Sequence, residues 1–224
     1  MMSIERGQGE LDLESDKKRA LALTPVSRET EARLLMFVEL LLHWQKKINL
    51  VAESTLPQIW TRHISDSLQL LALAPGAQVW VDLGSGAGFP GVPIACARAS
   101  QPGTMVHLVE SVGKKANFLR EVVRALNLPA QVHQERAEKF GESCAESVGV
   151  VTARALSPLK TLCDQAFPFI QRGALGLFPK GQDVASELTE AAKYWNIQAS
   201  LVPSVTSPAG SIVMIRGLAR LKKS

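Results

Sequence analysis

Residues 78–91 read Gln78-Val-Trp-Val-Asp82-Leu-Gly84-Ser-Gly86-Ala-Gly88-Phe89-Pro90-Gly91. The apolar run Val79 to Val81 has the character of a buried strand. Asp82 ends it, and closely spaced glycines at Gly84, Gly86, Gly88 and Gly91 follow. Glycines after a strand make a tight turn whose bare backbone can approach a ligand closely.

Two patterns fit this loop. From Gly86 it reads G-x-G-x-x-G, with acidic Glu110 placed 24 residues further on, as in dinucleotide-binding loops. From Asp82 it reads D-x-G-x-G-x-G, which looks like the first motif of S-adenosylmethionine-dependent methyltransferases. A pyrophosphate needs free N–H groups at a helix start. Asp82 sets a carboxylate near that anion, and Pro90 and Pro93 each delete an N–H from the turn. S-adenosylmethionine carries an ammonium and a sulfonium instead, so an acid at the strand end attracts it. The chemistry favours the second pattern.

Outward from the loop, strand-like runs recur at 78–83, 105–109, 130–134, 148–153 and 174–178. Helix-like stretches separate them at about 91–100, 113–127, 138–146 and 157–170. This alternation implies βαβ units and a parallel sheet with ligands at the carboxyl ends of its strands. A helix near 183–195 and strands at Ile197 to Val202 and Ser211 to Arg216 complete a seven-stranded, mostly parallel, Rossmann-like α/β sheet. Ahead of it, residues 25–76 read as a helical segment: Ser27 caps a helix running to about Ile48, and Thr55 caps a second. Residues 1–24 are charged with few apolar positions and are expected to be a disordered lead-in, while 77–218 form the cofactor-binding domain and 219–224 a basic tail.

The 224 residues are 46% hydrophobic, which suits a packed core, and no stretch approaches a membrane span. Cys96, Cys144 and Cys163 are scattered, so reduced thiols in a cytoplasmic protein are expected, with no metal site. Net charge is +4, which permits a nucleic-acid partner without demanding one.

Glu110 ends the second strand, where an acid accepts both hydroxyls of a ribose. Ala137 and Glu138 follow the third, where backbone N–H groups can meet an adenine edge. Arg154 follows the fourth and opens on the same cleft; a guanidinium there can hold a carboxylate, a phosphate or the Hoogsteen edge of guanine. The chain reads Thr152-Ala153-Arg154-Ala155 where enzymes that methylate exocyclic amines carry Asn/Asp-Pro-Pro-aromatic, and it has no Pro-Cys for attack on pyrimidine carbon. The target is therefore expected to be already nucleophilic, as guanine N7 is.

Taken together, the motifs resemble the ribosomal RNA small-subunit methyltransferase G family, also called glucose-inhibited division protein B. The resemblance runs over roughly residues 35 to 216. It rests on Trp44-Gln-Lys-Lys-Ile-Asn49-Leu, Arg62-His63-Ile-Ser-Asp66-Ser67, the loop from Asp82 to Gly91, Glu110-Ser-Val-Gly-Lys114-Lys115, Thr152-Ala-Arg154-Ala and Lys180-Gly181. It implies transfer of a methyl group from S-adenosylmethionine to guanine N7 of 16S ribosomal RNA, near the decoding site. It also implies cofactor contacts at Gly84, Phe89, Ala137, Glu138 and Arg154, and a cleft lined by Arg62, His63, Asp66 and Ser67. An alternative for His63 and Asp66 is a mutual contact that anchors their helix. Lys46, Lys47, Arg62, Lys114, Lys115 and Lys180 are candidate phosphate contacts. Trp44 and Trp60 fit helix-core positions better than base stacking. A monomer suffices for all of this.

Overall fold

The computed structural model describes residues 12–221. Seven strands form one sheet in the order β3-β2-β1-β4-β5-β7-β6. They are β1 (Val79–Leu83), β2 (Met105–Val109), β3 (Ala130–His133), β4 (Val150–Thr152), β5 (Leu175–Lys180), β6 (Trp195–Pro203) and β7 (Ser211–Arg220). The first five are mutually parallel, and β7 runs antiparallel between β5 and β6.

Strand alternation divides the core. Trp80, Val106, Leu108 and Val150 face one layer, with α2 (Arg28–Gln45), α4 (Gly91–Arg98) and α5 (Gly113–Ala125). Val81, Leu83, Val109 and Val151 face the other, with α6 (Ala137–Ser143), α7 (Leu159–Ile170) and α8 (Val184–Ala191). Side chains on successive strand residues point to opposite faces, so a sheet covered on both sides reads as continuous apolar runs. The register places Leu83 beside Val109 and Asp82 beside Thr152. The glycine loop, Glu110 and Arg154 therefore all leave one end of the sheet, at its centre.

Three expectations change. Residues 13–23, expected to be disordered, form helix α1 (Leu13–Leu23), capped by the Asp12 side chain. Glu14, Lys18 and Arg19 are exposed, but the other face is not: Ala20 is buried, Leu13 packs on the core, and Asp16 is buried against residues far along the chain. Residues 1–11 of that expected lead-in lie outside the described residues. Ser27 caps α2 as expected, but Thr55 caps nothing; its hydroxyl donates to the Ala52 carbonyl. The expected single helix is instead a 3-10 turn (Glu53–Gln58) containing Pro57, a π-helical turn (Trp60–Ser65), the short α3 (Asp66–Leu68) and a second 3-10 turn (Gln69–Leu73). Finally, β7 runs through Arg220, whose guanidinium bonds Asp164 and lies over the Trp195 ring, so 219–220 are sheet rather than tail. Residues 222–224 lie outside the described residues.

Candidate active site

The head of α4 decides which cofactor the loop can take. The Gly91 N–H donates to Asp82 Oδ2 at 3.0 Å, the Val92 N–H donates to the Gly88 carbonyl at 2.7 Å, and Pro93 has no N–H. Within the loop, the N–H groups of Gly88 and Phe89 both donate to the Ser85 carbonyl. A pyrophosphate would find no free donors at this helix start, which removes the dinucleotide reading.

Asp82 is fully buried beneath the loop. One carboxylate oxygen holds Gly91; the other, Oδ1, has no hydrogen-bond partner among the described residues. Burial is the main force pushing its pKa up, to about 7, and the Gly91 N–H, the nearby Ser85 hydroxyl and then Arg154 pull the other way. The carboxyl thus braces the loop directly from beneath.

Glu110 receives the Gly86 N–H at 2.9 Å on one oxygen and the Val112 N–H at 2.7 Å on the other. A carboxylate has about four acceptor positions, so two remain for a diol. At Gly86 an added Cβ would meet only the Gly84 carbonyl, at 3.7 Å, so space lies open there. Gly84, Gly86 and Gly88 all hold positive φ, which side chains disfavour. No side chain caps α6, so the first-turn N–H groups of Ala137 and Glu138 lack intrahelical partners. The Glu138 carboxylate itself is engaged by Gln165 at 2.8 Å. Two acids, open glycine backbone and an α4 head without free donors fit a nucleoside sulfonium.

Phe89 is buried between Phe37 and His63, at centroid distances of 5.4 and 4.9 Å, with the Arg154 guanidinium 5.4 Å from its ring centre. Arg154 donates to the Arg62 carbonyl at 2.9 Å, to Asp66 Oδ2 at 3.4 Å and to His63 Nδ1. His63 Nε2 lies 2.9 Å from the Thr55 hydroxyl. Burial chiefly, then the charges of Arg154 and Arg62, lower the His63 pKa to about 3, so the ring is neutral. His63 and Asp66 do not pair with each other; both are held by Arg154. Ala155 takes φ +53°, a turn that costs a non-glycine residue about 1–2 kcal/mol. It lies between Arg154 in this cluster and Leu156, which packs against Gly84.

Beyond Arg154 and Leu156 opens a cleft of about 880 Å³, lined by Arg62, Asp66, Lys180, Glu187 and the β6–β7 loop. That loop is tied to the helical turns: Thr206 donates to Asp66 Oδ1 at 2.7 Å, and the Val205 N–H to Gln69 Oε1 at 2.9 Å. Ser67 is buried, its hydroxyl spent on the His63 carbonyl. Lys180 donates to Glu187 at 2.7 Å and to the Ser157 carbonyl at 2.9 Å, so its ammonium is committed to the cleft wall.

Lys46 and Lys47 are exposed at the end of α2, beside Trp44, which packs on Phe118 of α5. The first turn of α5 carries Lys114 and Lys115, whereas Arg62 and Lys180 line the cleft. Trp60 is buried in the core. Sequence reasoning missed Thr55 and Glu187, whose partners His63 and Lys180 lie eight and seven residues away, and Asp16, Leu156 and the β6–β7 loop, which join the site through contacts remote in sequence.

This fold and site define a class I S-adenosylmethionine-dependent methyltransferase. A cofactor-bound crystal structure, Rv0187 from MTB, superposes with TM-score 0.60 at 13% identity, covering 95% of this chain and 100% of that one. An O-methyltransferase from Bacillus cereus in complex with SAH gives TM-score 0.57 at 12% identity, covering 90% and 96%. Residues 30–222 match the family model described as GidB, rRNA small subunit methyltransferase G, and the chain belongs to that family. A ribosomal RNA small subunit methyltransferase G of Bradyrhizobium sp. (strain BTAi1) is 59% identical over 201 residues, 90% of each chain. Another, of Rhodopseudomonas palustris (strain BisB18), is 54% identical over 202 residues, 90% of this chain and 86% of that one.

Proposed function

We propose that the protein transfers the methyl group of S-adenosylmethionine to N7 of a guanine in 16S ribosomal RNA, in a loop near the decoding site. Its substrate on this reading is the small ribosomal subunit, and it works as a cytoplasmic monomer. Gly84, Gly86, Gly88, Phe89, Glu110 and the backbone at Ala137 and Glu138 would hold the cofactor, with Asp82 and Arg154 setting the field around it. Bound there, the cofactor supplies an electrophilic methyl on a sulfonium.

The observation that carries the reading is the state of His63. It is neutral, and both ring nitrogens are engaged, by Arg154 and Thr55. No proton has to leave N7 before it is methylated, so a cleft whose histidine is fully occupied suits that atom. Arg154 is held by Arg62, Asp66 and His63 and is kept from clamping N7, where added positive charge would oppose the charge the base gains. Exposed Arg62, together with the α2–α5 lysines, supplies positive charge for RNA phosphates.

The test is transfer of radiolabelled methyl from S-adenosylmethionine to small subunits from a strain lacking this gene, followed by nucleoside analysis. Label in 7-methylguanosine of 16S RNA is the expected result. Label in another nucleoside, or none on subunits and stripped RNA while the cofactor binds, overturns the assignment.

A further inference from the structure

Helix α1 lies ahead of the residues matched by the family model, yet it is fastened to the active site. It packs on the turns from Glu53 to Ser65. Its Asp16 is 2% exposed and receives the N–H groups of Trp60, at 2.8 Å, and Thr61, at 3.2 Å. The Thr61 hydroxyl donates to the same carboxylate, and Arg19 closes over it with a 2.8 Å contact. One turn along α1, the Ala20 carbonyl accepts the Ser65 hydroxyl at 3.3 Å, which also meets Thr24 Oγ1 at 2.9 Å. Both ends of the π-helical turn Trp60–Ser65 are therefore stitched to α1.

That turn carries Arg62 and His63. A π turn closes its hydrogen bond one residue further along than an α turn; it is rare, and frequent at functional sites. Here it is held from two sides. Asp16 takes N–H groups at its head, where a carboxylate also meets the favourable end of the helix dipole. Arg154 takes the Arg62 carbonyl on the other side. The glycine loop and Glu110 share none of the Asp16 bonds, and Asp16 reaches Phe89 and Arg154 only through His63 and Arg62.

We infer that Asp16 is a positioning residue for methyl transfer: by bonding the head of the Trp60–Ser65 turn from α1, it sets where Arg62 and His63 stand at the acceptor cleft. The inference rests on the cleft being the acceptor side of the proposed reaction. Asp16 acts on the turnover of substrate through Arg62 and His63 and makes no bond to the glycine loop or Glu110.

The experiment measures kcat on small subunits and the dissociation constant of S-adenosylmethionine for wild type, Asp16→Ala and Asp16→Asn. Small displacements of positioning groups cost up to about 100-fold in rate. Asp16→Ala is expected to lose about 10- to 100-fold in kcat with cofactor affinity within about twofold. Asp16→Asn, which keeps an acceptor for the N–H groups but loses the Arg19 pairing, recovers part of that loss. Wild-type kcat in Asp16→Ala overturns the role, and so does loss of cofactor affinity in step with kcat. If Asp16→Ala does not fold, Asp16→Asn carries the same comparison, and kcat equal to wild type overturns it. A wild-type protein inactive on subunits and on rRNA overturns the function itself, and with it this role; a defect confined to the variants separates the two.

Discussion

Arg154 fixes the tautomer of His63. A guanidinium has donors and no acceptor, so the Nδ1 that it meets must offer its lone pair. The single proton of the neutral ring then sits on Nε2 and points to the Thr55 hydroxyl, which in turn donates to the Ala52 carbonyl. Direction is set along the whole relay, from Arg154 at the end of β4 to the start of the first 3-10 turn.

Replacing Arg154 tests that relay. Arg154→Ala strands the Arg62 carbonyl, Asp66 and His63 in a half-buried setting, and is expected to cost on the order of 2 kcal/mol of stability. Methyl transfer should fall at least about 10-fold. Arg154→Lys should not restore it, because an ammonium lacks the planar fork that reaches three partners at once. Denaturant unfolding and single-turnover transfer read the two effects; a lysine variant at wild-type rate would count against the relay.

Asp82 makes a pH prediction whose sign is set by burial. Its folded pKa is about 7 against an ordinary 3.8, so the folded state holds the proton more tightly than the unfolded chain. Stability therefore declines as pH rises from about 4 to about 7, then levels off. Asp82→Asn should remove that decline and be the more stable protein at pH 8, by up to about 4 kcal/mol before Arg154 and Glu110 readjust. Cofactor affinity should move oppositely, strengthening in the wild type as pH rises through 7 and staying flat in the variant. Calorimetric titration from pH 6 to 8 checks it, and identical profiles for both proteins would refute it.

Two glycines separate space from backbone conformation. A Cβ at Gly91 would lie 2.3 Å from Leu108 Cδ2 and 2.8 Å from Asp82 Oδ2. Gly91→Ala should destabilise by about 1–3 kcal/mol through overpacking and loosen the Asp82 brace. Gly86 has room but φ +56°, so Gly86→Ala should cost about 1 kcal/mol and weaken cofactor binding more than it weakens the fold. Equal stability losses for the two would contradict this division.

RNA binding should depend steeply on salt. Neutralising Lys46, Lys47, Lys114 or Lys115 should lower the log–log salt slope by about one each where the side chain meets a phosphate. Lys180→Gln should leave the slope unchanged, because its ammonium is already paired with Glu187. Filter binding to small subunits across salt concentrations distinguishes the two groups.

Legibility followed the range of the forces involved. β2 was read at its observed bounds and β1 within one residue, because a strand covered on both faces announces itself as a short apolar run. The loop from Asp82 to Gly91 and Glu110 were legible for the same local reason. The helical turns between Glu53 and Leu73 were not: their apolar spacing suits one helix, and what divides them is Pro57 and a carboxylate 44 residues upstream of Trp60. Arg154 was read as opening on the cleft, yet its partner His63 is 91 positions away and no periodicity reports such a bond. Lys180 was read as a phosphate contact because charge is visible in sequence and pairing is not.

The donors at the head of α4 have one more consequence, for how this chain could ever change its ligand. Discrimination against phosphate-bearing nucleotides is spread over main-chain bonds, the Asp82 carboxylate that takes the Gly91 N–H, and the missing hydrogen of Pro93, so no single exchange rewrites it. The cleft beyond Arg154, by contrast, is lined by exchangeable side chains, and on the proposed function acceptor choice would be written there. A lineage descending from this fold is free to drift in what it methylates while remaining bound to the same methyl donor.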